Sequence, residues 1–227
     1  MILKGTIVNA AAILAGSLIG LLAGRKLPER VKTILMQTLG LSTLLIGMQM
    51  ALSVSNVIPA IGCLLLGALT GELLRIETGL ERFGLWLKNR TRSDSSTFVE
   101  GFVTSSLLYC TGAMVIVGSI QDGTTGNATT LYVKAMLDGV ASAALASTLG
   151  VGVIFSAASV FVVQGAITLL ASRLAFLQQP AILSAVTATG GLLIVAIGIN
   201  LLGAAKIRIG NLLPALVYAV IWALVKC

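Results

Sequence analysis

Residues Thr33–Gly71, TILMQTLGLSTLLIGMQMALSVSNVIPAIGCLLLGALTG, run for 39 positions without a charged side chain. A bilayer core about 30 Å thick takes roughly 20 apolar residues per helical crossing, so this stretch predicts two crossings. In hydrocarbon every backbone N–H and C=O must find its partner within the chain, which makes helices the economical spanning form. Uncharged runs recur at Gly5–Gly24, Gly101–Gln121, Gly139–Ser172, Leu174–Ala205 and Ile209–Val225. The pattern is that of an all-α integral membrane protein.

Composition agrees. Of 227 residues, 57% are hydrophobic and 10% charged, and this apolar balance excludes an ordinary soluble domain. The net charge of +7 sits in loops between apolar segments. Basic loop ends orient membrane helices, so the charge points to topology rather than to nucleic acid. There is no histidine, which removes the commonest pH switch and metal ligand. Cys63, Cys110 and Cys227 are too scattered for a disulfide framework or a zinc site. The apolar run after Lys4 ends in Gly24-Arg25-Lys26 rather than at a small-residue cleavage site, so it reads as an uncleaved first helix.

The expected passes are 5–24, 33–52, 57–74, 98–120, 132–150, 152–172, 181–203 and 209–226. With eight passes, eleven Lys and Arg residues fall on one side, in Arg25–Lys32, Arg75–Arg92 and Lys206–Arg208. Four fall on the other: Lys4, Lys134, Arg173 and Lys226. The basic side is the cytoplasmic one, and both termini then face outward. Counting Gly139–Ser172 as one crossing gives seven passes and the same tally. As a single helix that stretch would be about 51 Å long, too long for one crossing. Gly150-Val151-Gly152 offers a break, and two crossings, or one plus a half-length insertion, are expected.

Three blocks repeat in order. Leu21–Arg25 matches Leu169–Arg173; Thr38, Gly40, Leu41, Ile46 and Gly47 match Thr189, Gly191, Leu192, Ile197 and Gly198; Asn56–Ala60 matches Asn211–Ala215. One block alone would be chance in so small an alphabet. Three in order predict two three-helix repeats, at 5–75 and 152–226, within one transmembrane domain. With eight passes the repeats are inverted, a recurrent transporter plan; with seven they are parallel. A central helical hairpin, 98–150, has no twin. Ile76, Leu80, Phe83 and Leu87 mark an amphipathic helix at the inner surface, which with a polar linker fills 76–97.

Ionisable groups in or beside spans are costly and need a reason. Glu72 stands three residues before Arg75, which suggests a local ion pair. Thr97 and Glu100 have the spacing of a capping box. Lys134 and Asp138 lie one helical turn apart and can neutralise each other. Asp122 borders the polar connection 123–130. If that connection dips inward, Asp122, Ser119 and Gln121 line a cation pathway; if it reaches solvent, Asp122-Gly123 is a turn. Gln49 and Asn200, treated as repeat equivalents, either contact substrate or bond between helices. Gly16, Gly20 and Gly24, with Gly67 and Gly71, form flat faces for helix packing, for sliding or for a homo-oligomer contact. Cys110 and Met114, one turn apart, read as packing rather than a copper site, and Asp122–Asn127 lacks the carboxylates of a calcium loop. Asn127-Ala-Thr129 fits a glycosylation triplet too common to use. No catalytic set, cofactor loop or metal quartet is evident, so a non-enzyme without cofactor is expected.

Cys110-x-Gly-Ala-Met114, Gly118-Ser-Ile-Gln-Asp122-Gly123 and Lys134-Ala-Met-Leu-Asp138-Gly139 resemble an uncharacterised bacterial membrane-protein family. It is the family of unknown function that includes the YqgA and YdfK proteins. Gly5–Asn9 and Thr70–Glu77 are similar as well, so the likeness covers most of the chain. The resemblance implies a bacterial inner-membrane location and carries no activity. The expected function is a small secondary transporter or permease for a small polar or cationic solute. A passive channel and a non-transporting scaffold are the alternatives.

Overall fold

A computed structural model describes residues 3–24 and 27–226. Arg25, Lys26 and Cys227, which entered the charge tally, the first repeat block and the cysteine count, lie outside them. The helices are α1 Lys4–Gly24, α2 Glu29–Ala51, α3 Ile58–Leu74, α4 Ile76–Arg90, α5 Phe98–Cys110, α6 Ala113–Thr125, α7 Thr129–Leu149, α8 Ser156–Leu169, α9 Ala171–Leu174, α10 Pro180–Leu201 and α11 Pro214–Lys226. Short 3₁₀ turns occupy Gly150–Phe155, Ala175–Gln178 and Ile209–Leu212. Among the described residues four stretches are long and apolar enough to cross a membrane, and up to six if each bent pair counts as one span. The bent pairs are α3 with α4, at 57°, and α5 with α6, at 62°. The expected 98–120 pass is therefore broken, at Thr111-Gly112.

Two compact units interleave along the chain and cut across the expected repeat boundaries. The first comprises Met1–Met36, Phe83–Cys110 and Met114–Phe176; the second Gln37–Arg82, Thr111–Ala113 and Leu177–Cys227. The first thus takes α1, α5, most of α6, α7 and α8, and the second takes α3, most of α2, α10 and α11.

In the first unit α1 lies along α7 in the same direction: Gly16 faces Gly139, Gly20 faces Ala143 and Gly24 faces Ser147. At each step a carbonyl of α7 occupies the space where a Cβ on α1 would stand. This approach gives the dispersion and Cα–H···O contacts that hold helices together where lipid removes the hydrophobic drive. Gly150, at φ +79°, ends α7 in a backbone conformation few other residues adopt. The chain then reverses. Gln164 and Thr168 of α8 meet Asn9 and Thr6 of α1, so α8 runs against α1. The uncharged run 139–172 is thereby split into two oppositely directed helices.

In the second unit α2 packs against α10 in opposite directions, Gly40 beside Gly198 and Gly47 beside Gly191. Gly67 and Gly71 of α3 abut Ala215 and Asn211 at the α11 end, again antiparallel. The two glycine faces picked out on α1 and α3 are thus covered within the chain.

On α1 burial runs against the soluble rule. On α1 the enclosed residues are Gly5, Thr6, Asn9, Ile13, Gly16, Ser17, Gly20 and Gly24, while Leu18, Ile19 and Leu22 point outward. On this helix mostly small and polar residues pack inside and large aliphatic ones face outward, the pattern expected of a helix in lipid.

Candidate functional site

The first unit gathers three ionisable side chains into its interior: Asp122, Lys134 and Asp138, at 0%, 6% and 7% exposure. Lys134 and Asp138 sit one turn apart on α7, and Lys134 Nζ donates to Asp138 Oδ2. The same oxygen accepts from Asn9 Nδ2 of α1 at 3.0 Å. Asn9 Nδ2 also donates to Gln164 Oε1 of α8 at 3.0 Å, and Gln164 Nε2 donates to Thr6 Oγ1 at 3.2 Å. Thr6 and Thr168 hydroxyls lie 3.5 Å apart, and Thr168 Oγ1 donates to the Gln164 carbonyl. A polar chain therefore ties α7, α1 and α8 through their buried faces. Beside it Ser142 donates to the Tyr109 hydroxyl at 2.9 Å, and Lys134 Nζ lies 6.0 Å from the Tyr109 ring centroid, within cation–π reach.

Asp122 closes the other end. Its Oδ2 accepts the Gly5 N–H at 3.1 Å, so a carboxylate faces the positive N-terminus of α1. Among the described residues its Oδ1 has no partner, and neither do Ser119 Oγ or Asn9 Oδ1. An unmet buried acceptor costs about 1–3 kcal/mol. With Ser17 Oγ, four such buried oxygens without a partner lie in the first unit among the described residues.

The other sequence candidates fall elsewhere. Gln121 Oε1 accepts from Thr130 Oγ1 at 2.8 Å and braces the α6–α7 turn. That connection does not dip inward: residues 124–127 are exposed, Gly126 has φ +71° and the Asn127 side chain accepts the Thr129 N–H. Asp122 is nevertheless no turn residue, because α6 continues through Thr125 and carries the carboxylate inside. Asn200 bonds both the N–H and the carbonyl of Ile207, closing the loop after α10. Gln49 is exposed on α2.

Two local readings need correction. Thr97 does not form a capping box with Glu100, since its hydroxyl donates to the Leu149 carbonyl at 2.8 Å and Glu100 is exposed. Glu72 pairs not with Arg75 but with Arg208 at 2.6 Å, and also accepts from Asn211 Nδ2 at 2.7 Å. Arg75 adopts a left-handed conformation, φ 53°, that ends α3. Nearby, Glu77 on the surface helix α4 accepts the Gly210 N–H, and its carboxyl is raised above the ordinary value, mainly by burial.

Asn9, Gln164, Thr6, Tyr109 and Ser142 escaped the sequence reading. A signal existed for two of them: Asn9 and Gln164 are the lone amides of the runs 5–24 and 139–172.

Helices with aliphatic outer faces and charges gathered inside define a membrane protein. The chain belongs to the family described as "Protein of unknown function (DUF554)", which matches residues 4–224. It is 32% identical to the "Uncharacterized membrane protein YdfK" of Bacillus subtilis (strain 168), across 93% of this chain and 92% of that one. It is 29% identical to the "Uncharacterized protein YqgA" of Escherichia coli (strain K12), across 95% and 94%. No solved structure matches the chain.

Proposed function

We propose that this protein is a multi-pass bacterial inner-membrane secondary transporter, coupling a cation to movement of a small polar or cationic solute. The observation that carries this reading is the enclosed Lys134–Asp138 pair, linked through Asn9 to α1 and α8. An apolar pair of equal volume would usually be no less stable, so a buried ion pair invites a role beyond stability. Lys134 acts as an internal cation held on Asp138. A proton or sodium ion that takes Asp138 releases the ammonium, for which the Tyr109 face, 6.0 Å away, is an alternative. Asp122, with one unmet oxygen, is a second coupling group. No enzymatic step or cofactor belongs to this reading.

Inverted repeats are a recurrent build for alternating access. The repeat-matched pairs α1 with α8, α2 with α10 and α3 with α11 each pack antiparallel, which supports inverted three-helix repeats. The reversal between α7 and α8 supports eight passes over seven. Single cysteines at Ser95, Thr125, Gln178 and Ala205 should label inside, outside, outside and inside; seven passes would move Gln178 inside and Ala205 outside.

Purified protein in liposomes tests the function. Accumulation of solute driven by a proton or sodium gradient is expected, lost in Asp138→Asn and Asp122→Asn. Downhill conductance alone would make the protein a channel. Absence of any flux, with a stable partner complex on purification, would make it a scaffold.

A further inference from the structure

The second unit contains a cleft of about 350 Å³ between α3, α10 and α11, roofed by the α2–α3 turn. Its volume falls in the range of small-molecule sites. Cys63, Ala188 and Thr189 form the buried wall, Ala185 lines the side, and Asn56 and Trp222 stand at the mouth. The position of the cleft follows from an asymmetry in the α3–α11 pair. At one end Gly67 and Gly71 let the backbones touch. At the other, where α3 presents Pro59 and Cys63 and α11 presents Ala219, Trp222 and Ala223, the helices leave the cleft.

The polar chemistry of the cleft is sparse and specific. No carboxylate, ammonium or guanidinium lines it. Thr189 is fully buried, yet its hydroxyl finds no partner among the described residues. A hydroxyl on an otherwise small, apolar wall is a hydrogen-bonding handle whose mate comes from outside the chain.

We infer that this cleft binds a small uncharged molecule, about one ring in size and mainly apolar, whose single hydroxyl, amide or carbonyl pairs with Thr189. The site stands on the second unit alone and holds whether or not the chain moves ions. A charged solute would meet no counter-charge here, so the cleft is distinct from the cation-coupling chemistry around Asp138.

Trp222 reports occupancy. In Trp86→Phe protein reconstituted in nanodiscs, where Trp222 is the only tryptophan, para-bromophenol and bromobenzene are matched heavy-atom quenchers with and without a hydroxyl. Partition into lipid quenches linearly with concentration, whereas a site saturates. Saturable quenching by para-bromophenol is expected, weaker by roughly tenfold in Thr189→Val, the factor of one buried hydrogen bond. Bromobenzene should bind both proteins at that weaker level, and Ala185→Phe should abolish the saturable component. Thr189→Val removes a hydroxyl that has no partner, so its melting temperature should equal or exceed that of its parent, which excludes misfolding as the cause. Purely linear quenching, or equal binding of para-bromophenol by the parent and the Thr189→Val variant, would overturn the inference. Bromobenzene binding as tightly as para-bromophenol would reduce the cleft to an apolar filler space and overturn it too.

Discussion

Replacing Asp138 by Asn keeps the side-chain volume and removes one charge, which leaves Lys134 buried at 6% exposure without its counter-ion. In soluble proteins, breaking a buried pair costs about 3–5 kcal/mol, whereas replacing both partners with apolar residues is often neutral or stabilising. Helices that separate within a bilayer keep some polar partners, so the lower end, about 3 kcal/mol, is the better expectation here. Asn9 softens the loss little, because its amide already serves both Asp138 and Gln164. For a chain of this size that corresponds to a melting temperature lower by roughly 6–12 °C. The double variant Lys134→Met, Asp138→Leu should recover most of that loss yet show no gradient-driven flux. Thermal unfolding in nanodiscs gives the stabilities and liposome accumulation gives the coupling. An Asp138→Asn protein as stable as wild type, or a double variant that still accumulates solute, would refute the argument that the pair is kept for coupling at the expense of stability.

Other outcomes follow from the packing. Gly20→Leu should prevent folding, since a side chain there enters the Ala143 backbone, while Gly62→Ala should stabilise helix α3 by roughly 0.5–1 kcal/mol because nothing stands within 4 Å of the new methyl; thermal melts of both settle it. A double-mutant cycle should find coupling between Glu72 and Arg208 and none between Glu72 and Arg75. At 61% and 66% side-chain exposure the coupling should stay within about 0.2–1 kcal/mol. Thr97→Val should lower stability by about 1 kcal/mol through its lost bond to Leu149, and Glu100→Gln should leave melting unchanged. Burial raises the Glu77 carboxyl in the folded state, so the fold holds this proton more tightly than the unfolded chain does. Its contribution is therefore present below the ordinary glutamate value and lost as pH rises through the raised one. Glu77→Gln should flatten that part of the stability profile.

Membrane class, the apolar segments and the break near Gly150 could be read from sequence because hydrocarbon imposes a length and polarity rule on each segment separately. The Lys134–Asp138 pair was legible for a similar reason: one helical turn fixes the neighbours at i and i+4. Partners separated by long stretches of chain carry no such local code. Nothing in Asn9 or Gln164 alone says that Asn9 of α1 bridges Asp138 of α7 to Gln164 of α8, and the Glu72–Arg75 spacing favoured a pairing that Arg208, 136 residues from Glu72, takes instead. The cleft at Thr189 belongs to the same category. Alanines and a threonine read as ordinary packing until the close glycine contacts at one end of the α3–α11 pair show where the helices part. Periodicity and polarity act along the chain and are written in it, whereas polar pairing and cavities depend on which faces meet, which only the tertiary structure decides.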